Sequence, residues 1–98
     1  VSAQGPFDPK TGAVVGETFE DQVERVFENI QVIAEAAGAT LADVVKLTVF
    51  ITDWNNFEAM NQICIRYFPE PYPARTPVQM EIPGALFMAD AVVALERD

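Results

Sequence analysis

Arg75 is the residue in this chain best prepared to do chemistry, because of the run that delivers it: Pro69-Glu70-Pro71-Tyr72-Pro73-Ala74-Arg75-Thr76-Pro77. Prolines at 69, 71 and 73 fix φ and forbid a helix, so the guanidinium enters a strand on extended, pre-set backbone. A guanidinium is a planar fork of donors that matches a carboxylate through two parallel hydrogen bonds. The chemistry predicted is capture of a small acid. The competing reading is an ion pair within the protein, since fifteen Asp and Glu share the chain with six Lys and Arg, and such surface pairs are common and worth little. Asn61 is a second polar candidate, on the less apolar side of a helix, where it is a surface amide or holds a neighbouring segment. Cys64 lies inside an apolar stripe and reads as an inert buried thiol, not a nucleophile.

Composition removes other chemistries. Ninety-eight residues, half of them apolar, make one domain able to fold on its own core. The formal net charge of −9 with scattered basic residues argues against a phosphate-tracking surface. No histidine is present and Cys64 is the lone cysteine, which excludes an internal disulfide, a zinc site and a Ser-His-Asp triad within one chain. No apolar run approaches membrane-spanning length, and the first residues have neither a basic nor an apolar leader region. A soluble, cytoplasmic protein with no nucleic-acid or membrane partner is the expectation.

The elements that must position Arg75 follow from pattern. A strand is expected to be ending at Val1-Ser2-Ala3-Gln4-Gly5-Pro6, and Asp8-Pro9-Lys10-Thr11-Gly12 reads as a loop or hairpin. Thr18 with Asp21 resembles a capping box, after which Val23, Phe27, Ile30, Ile33 and Ala37 recur at helical spacing up to Gly38. Thr40 and Asp43 repeat the cap for a short turn. Val45 to Thr52 is dense in β-branched residues, with Leu47, Val49 and Ile51 on one face and Phe50 on the other, as in an interior strand. Asn55 with Glu58 predicts the cap of a second helix bearing Phe57, Met60, Ile63, Cys64, Tyr67 and Phe68. Arg75 to Ile82 and Leu86 to Leu95 read as two strands separated by Pro83-Gly84. A sheet with both helices on one face satisfies this order.

Several blocks, in order along nearly the whole chain, resemble the YjgF-type family of reactive-intermediate deaminases: Ser2-Ala3-Gln4-Gly5-Pro6 with Asp8-Pro9-Lys10-Thr11-Gly12, Glu35-Ala36-Ala37-Gly38, Asp43 to Asp53, Phe57-Glu58-Ala59-Met60-Asn61 and Pro73-Ala74-Arg75-Thr76. The resemblance implies a chorismate-mutase-like α+β fold, a mixed sheet with two helices packed on one face, assembled as a homotrimer with ligand clefts between subunits. It implies hydrolysis of enamines and imines such as 2-aminoacrylate to a 2-oxo acid and ammonia. Arg75 matches the family arginine that grips the substrate carboxylate, Ser2 a serine near the cleft, and Asn61 an asparagine that positions substrate. The family's initial strand and most of another precede the block that begins at Val1, so residues 1–98 are expected to form one YjgF-type domain lacking those strands. Imine hydrolysis needs water held against an electrophilic carbon and an oriented acid, which is proximity catalysis without metal or cofactor.

Two positions depart from the family pattern. Met88 stands where the first glutamate of a Glu-x-Glu strand is thought to orient the hydrolytic water, and a thioether cannot polarise water. Pro77 stands where cysteine is frequent, which removes a backbone donor from the expected cleft floor. Two other classes therefore stand beside the deaminase: a non-catalytic binder of small acids using the same cleft, and an endoribonuclease, against which the charge and the absence of histidine speak.

Overall fold

Local capping starts the first helix. Thr18 is extended, and its side-chain oxygen accepts from the backbone N–H of Asp21 at 3.1 Å, opening helix α1 at Phe19–Ala36. Glu20 and Asp21 add negative charge at the positive end of the helix. Gly38, with φ of +83°, ends it. The left-handed conformation there lets Ala39 N–H donate back to Ala34 O at 2.9 Å. In the computed structural model, which describes residues 1–95, the buried stripe of α1 is Val23, Val26, Phe27, Ile30 and Ala34. Ile33 and Ala37 instead face out: a 3.6-residue period begun at Val23 reaches 34 rather than 33, and α1 ends at Ala36, so Ala37 lies at its C-cap beyond the buried stripe.

Thr40 and Asp43 form the reciprocal cap expected of them around a single 3₁₀ turn, Leu41–Asp43, which leads directly into β1, Val44–Ile51. A register shift between Val44 and Lys46 lets Val44 turn inward along with Leu47, Val49 and Ile51. The expected cap from Asn55 and Glu58 does not form. Asp53 instead accepts from the backbone N–H of Asn55 at 2.9 Å and starts a 3₁₀ turn, Trp54–Asn56, that runs into α2 at Phe57–Tyr67. Glu58 is thereby left free for other partners.

The remaining strands are β2, Ala74–Gln79, and β3, Phe87–Val93, each shorter than expected. Between them the chain turns through Pro83 and Gly84, the glycine at φ of +77°. The sheet order is β2-β1-β3, with β1 parallel to β2 and antiparallel to β3. Parallel neighbours need a crossover, and α2 supplies it. Gln4 bridges to Ala89 and Ala91 N–H donates to Val1 O, so the first residues lie along the outer edge of β3. Phe7 and Val14 pair around the turn held by the Asp8 carboxylate, which is the hairpin expected there.

Both helices cover one face of the sheet. Leu47, Val49 and Ile51 of β1 and Phe87, Ala89 and Ala91 of β3 pack there against Val23, Phe27, Ile30, Met60 and Ile63. Phe27 is the hub, with ring centroids 5.1 Å from Phe68, 5.6 Å from Tyr67 and 5.8 Å from Phe87. Buried Gln22 donates to Gly16 O and accepts from Leu86 N–H at 2.8 Å, tying the start of α1 to the loop before β3. The opposite sheet face carries Phe50, Val78, Met88 and Val92 half-buried or exposed. No described helix is long and apolar enough to cross a membrane.

Candidate active site

Arg75 is the second residue of β2 and lies beside buried Leu47 of β1, on the sheet face that the helices cover. There it meets α2 along a cavity of about 430 Å³. Glu58, Asn61, Cys64 and Ile65 line the cavity from α2 at spacings of three, three and one, one side of a helix. Leu47, Phe68, Tyr72 and Pro73 complete its walls. Tyr72 and Pro73 belong to the proline run, so the stiff segment that delivers the arginine also forms part of the wall around it.

The guanidinium lies over the ring of Phe57, 5.3 Å from its centroid, and Phe57 is itself stacked on Trp54 at 4.8 Å and 20°. An aromatic face attracts a cation and orients it without consuming its N–H donors. Among the described residues no carboxylate is ion-paired with Arg75; the pairs present are Arg25 with Glu28 and Arg66 with Glu24. The internal ion pair that competed with acid capture is therefore not formed among the described residues.

Cys64 is buried, and that burial pushes its thiol up, while the neighbouring Arg75 opposes the shift through a hydrogen bond and its charge. It is an inert thiol, yet it is also part of the cavity wall. Asn61 donates through Nδ2 to Glu58 Oε2 at 3.4 Å, and its Oδ1 is sealed from solvent with no partner among the described residues. Gln62 Nε2 donates to Glu58 Oε1 at 2.9 Å. These two bonds, that from Gln62 first, hold the Glu58 carboxyl below its ordinary value.

Of the residues singled out in the sequence, Arg75 and Asn61 are brought together. Pro77 follows two places along β2, opposite Val49, and is not part of the cavity wall. An edge strand tolerates its missing N–H. Met88 lies opposite Phe50 on the far face of the sheet, half-buried, with Asp90 opposite Thr48 on that same face. Ser2 is exposed on the segment beyond β3, at the other edge of the sheet from β2. Within one chain, neither Ser2 nor Met88 belongs to the cavity that holds Arg75. Sequence reasoning missed Phe57 as the platform under Arg75 and Glu58 as part of the wall. The spacing of Glu58, Asn61 and Gln62 at i, i+3 and i+4 was the available signal for the second.

The class is a mixed α+β domain whose arginine, with no carboxylate partner among the described residues, borders a helix-to-strand cavity. The chain belongs to the YjgF/Rid family of reactive-intermediate deaminases, matching over residues 1–87 the family described as Endoribonuclease L-PSP. It is similar to a RutC family protein of Pyrococcus horikoshii, 46% identical over 80 residues that cover 82% of this chain and 64% of that one. It is also similar to the 2-iminobutanoate/2-iminopropanoate deaminase of Salmonella typhimurium, 43% identical, covering 98% of this chain and 77% of that one. Among solved structures, RidA from the Antarctic bacterium Psychrobacter sp. superimposes with a TM-score of 0.91 at 40% identity, covering 97% of this chain and 78% of that one. The chain thus spans a little under two thirds of the length of the Pyrococcus relative.

Proposed function

We propose that this protein hydrolyses reactive enamine and imine intermediates of amino-acid metabolism to 2-oxo acids and ammonia, with Arg75 gripping the substrate carboxylate. The observation that carries the proposal is the Arg75 guanidinium, oriented over Phe57 at the wall of a 430 Å³ cavity with no carboxylate partner among the described residues. Water adds to the C=N carbon, the C–N bond of the resulting carbinolamine breaks, and ammonia leaves as the carbonyl forms. The protein's task is to hold the acid and exclude alternatives, which is worth much of the barrier when geometry is right. A relative of this chain that is named 2-iminobutanoate/2-iminopropanoate deaminase supports the reaction class. The charge of −9 speaks against phosphodiester chemistry, whatever the family's printed description.

The working form proposed is a homotrimer. Phe50, Val78, Met88 and Val92 leave an apolar sheet face uncovered in one chain, and symmetric association hides such faces. Met88 and Ser2, which lie apart from Arg75 in one chain, would reach its cavity from a neighbouring copy. A single free thiol suits a reducing compartment, in keeping with the cytoplasm. Met88 in place of a water-orienting glutamate favours a second reading, a binder of small acids without turnover.

Release of 2-oxo acid and ammonia from freshly generated 2-aminoacrylate and from bulkier imines tests the proposal. Turnover by the wild type that Arg75→Ala abolishes is the expected result. Saturable acid binding without turnover would establish the binder, and an absence of both would remove the acid-capturing role altogether. Light scattering at micromolar concentration should give the trimer mass.

A further inference from the structure

The cavity holds a second charge that acid capture leaves unused. Glu58 lines it together with Arg75, yet the two are not ion-paired, and no cation among the described residues pairs with Glu58. Two opposite charges facing one apolar-walled space without meeting leave a gap with a polarity. The gap suits a ligand that is negative at one end and positive at the other.

The exposed Glu58 carboxylate is held by neighbours on its own helix. Its two oxygens are held separately, Oε1 by Gln62 Nε2 at 2.9 Å and Oε2 by Asn61 Nδ2 at 3.4 Å. The same bonds hold its carboxyl below the ordinary value, and the exposed carboxylate keeps lone pairs to spare at the edge of the cavity. It is not spent on the helix terminus, because Asp53 caps the preceding turn. Arg75 lies over Phe57, the residue beside Glu58, and interacts with Cys64, six residues on and about 9 Å further along the helix axis. The positive end of the site therefore lies against the first turns of α2, the helix that also carries Glu58.

We propose that Glu58 is the nitrogen-side anchor of this cavity: it holds the protonated nitrogen, iminium or ammonium, of a small ligand whose carboxylate is held by Arg75. This deepens the function proposed above and rests on Arg75 reading an acid. It identifies the ligand class as α-iminium and α-amino acid zwitterions. A carboxylate beside the nitrogen favours the protonated imine, the form whose carbon is most open to water. The 2-oxo acid product keeps its carboxylate but has lost the cation, so it is held at one end only and leaves more readily.

Alanine and pyruvate share a methyl side chain and a carboxylate and differ at the group Glu58 would read, which makes them the probes. Calorimetric or NMR titration of each should be made with the full chain and with the isosteric Glu58→Gln and the Arg75→Ala variants. Glu58→Gln is expected to weaken alanine at least tenfold and to change pyruvate less than twofold. It should also lower kcat/KM for imines chiefly through KM. Equal weakening of both probes, or no change in either, overturns the nitrogen anchor. Arg75→Ala should abolish both titrations, and pyruvate binding at wild-type strength in that variant would overturn acid capture by Arg75 whatever Glu58→Gln does. Failure of the wild type to bind alanine at millimolar concentration, with pyruvate bound, overturns the zwitterion class while leaving acid capture standing.

Discussion

Two arginines line two cavities of this protein, and their neighbours make them different objects. Arg25 borders a space of about 270 Å³ beneath α1, together with Gln4, Phe7, Glu28 and Asn29. Its guanidinium pairs with Glu28 at 3.8 Å, and Asn29 donates to Gly5 O at 3.2 Å and Phe7 O at 2.9 Å. The charge there is spent on a pair within α1 itself, while the Asn29 amide ties α1 to the segment before it. Arg75 borders the larger space, carried over an aromatic ring, with no carboxylate partner among the described residues. One residue type is paired within its own helix in the first case and has no carboxylate partner among the described residues in the second. The difference lies in which partners the tertiary structure supplies.

The largest expected effect breaks this comparison at its functional end. Arg75→Ala should lower turnover of 2-aminoacrylate at least a hundredfold, about 2.7 kcal/mol of transition-state stabilisation, with little change in thermal stability. Arg25→Ala should leave turnover within twofold. Arg75→Lys should recover little, because an ammonium lacks the bidentate fork. Unfolding by Arg75→Ala, with ligand affinity intact in the folded fraction, would make the two arginines equivalent.

The structural end is tested at Asn29. Asn29→Ala removes two donors to backbone carbonyls and should cost about 1–3 kcal/mol in denaturant unfolding, with kcat/KM for imines unchanged. A loss of activity without loss of stability would move function to the α1 cavity.

Met88 sharpens the comparison between the two sheet faces. Met88→Glu should raise turnover of small imines about tenfold at saturating substrate, because a carboxylate reaching the cleft from a neighbouring copy could orient the attacking water. Measurement at saturation separates chemistry from binding. Unchanged turnover with the trimer intact would mean that the far face does not contribute to the Arg75 cavity.

The smallest effect concerns Cys64, a wall of the larger cavity. Burial raises its pKa, so the thiol is protonated at neutral pH. Alkylation should be slow at pH 7, and the stability gained from keeping the thiol neutral should persist below the unfolded pKa and fade as pH rises through the folded one. Rapid stoichiometric labelling at pH 7 would show that Arg75 outweighs burial and that the cavity carries a nucleophile.

Local chemistry was legible in the sequence wherever its partners lie within a few residues. The Thr18 and Thr40 caps, the Asp8 turn, the stop at Gly38 and the proline-stiffened approach to Arg75 depend on short-range hydrogen bonds and on φ, which the side chains themselves dictate. The period-2 pattern also sorted Phe87 and Ala89 from Met88 and Asp90 correctly, since strand alternation is a property of the backbone. The Asn55 to Glu58 cap failed because two capping residues compete there, and Asp53 takes the turn first. Sequence spacing alone does not rank such rivals.

The identity of each side chain's distant neighbour was decided only by tertiary structure. Leu47 meets Arg75 because β2 pairs parallel to β1 through the α2 crossover, and that register sets the guanidinium over Phe57 in the cavity that Asn61 and Cys64 also line. The same strand order sends Met88 to the opposite face and Ser2 to the opposite edge. The chain by itself determined that an oriented arginine would enter a strand, because proline constrains its own backbone. Whether that arginine found a carboxylate or an aromatic platform depended on which elements packed beside it, a long-range outcome set by burial of the common core.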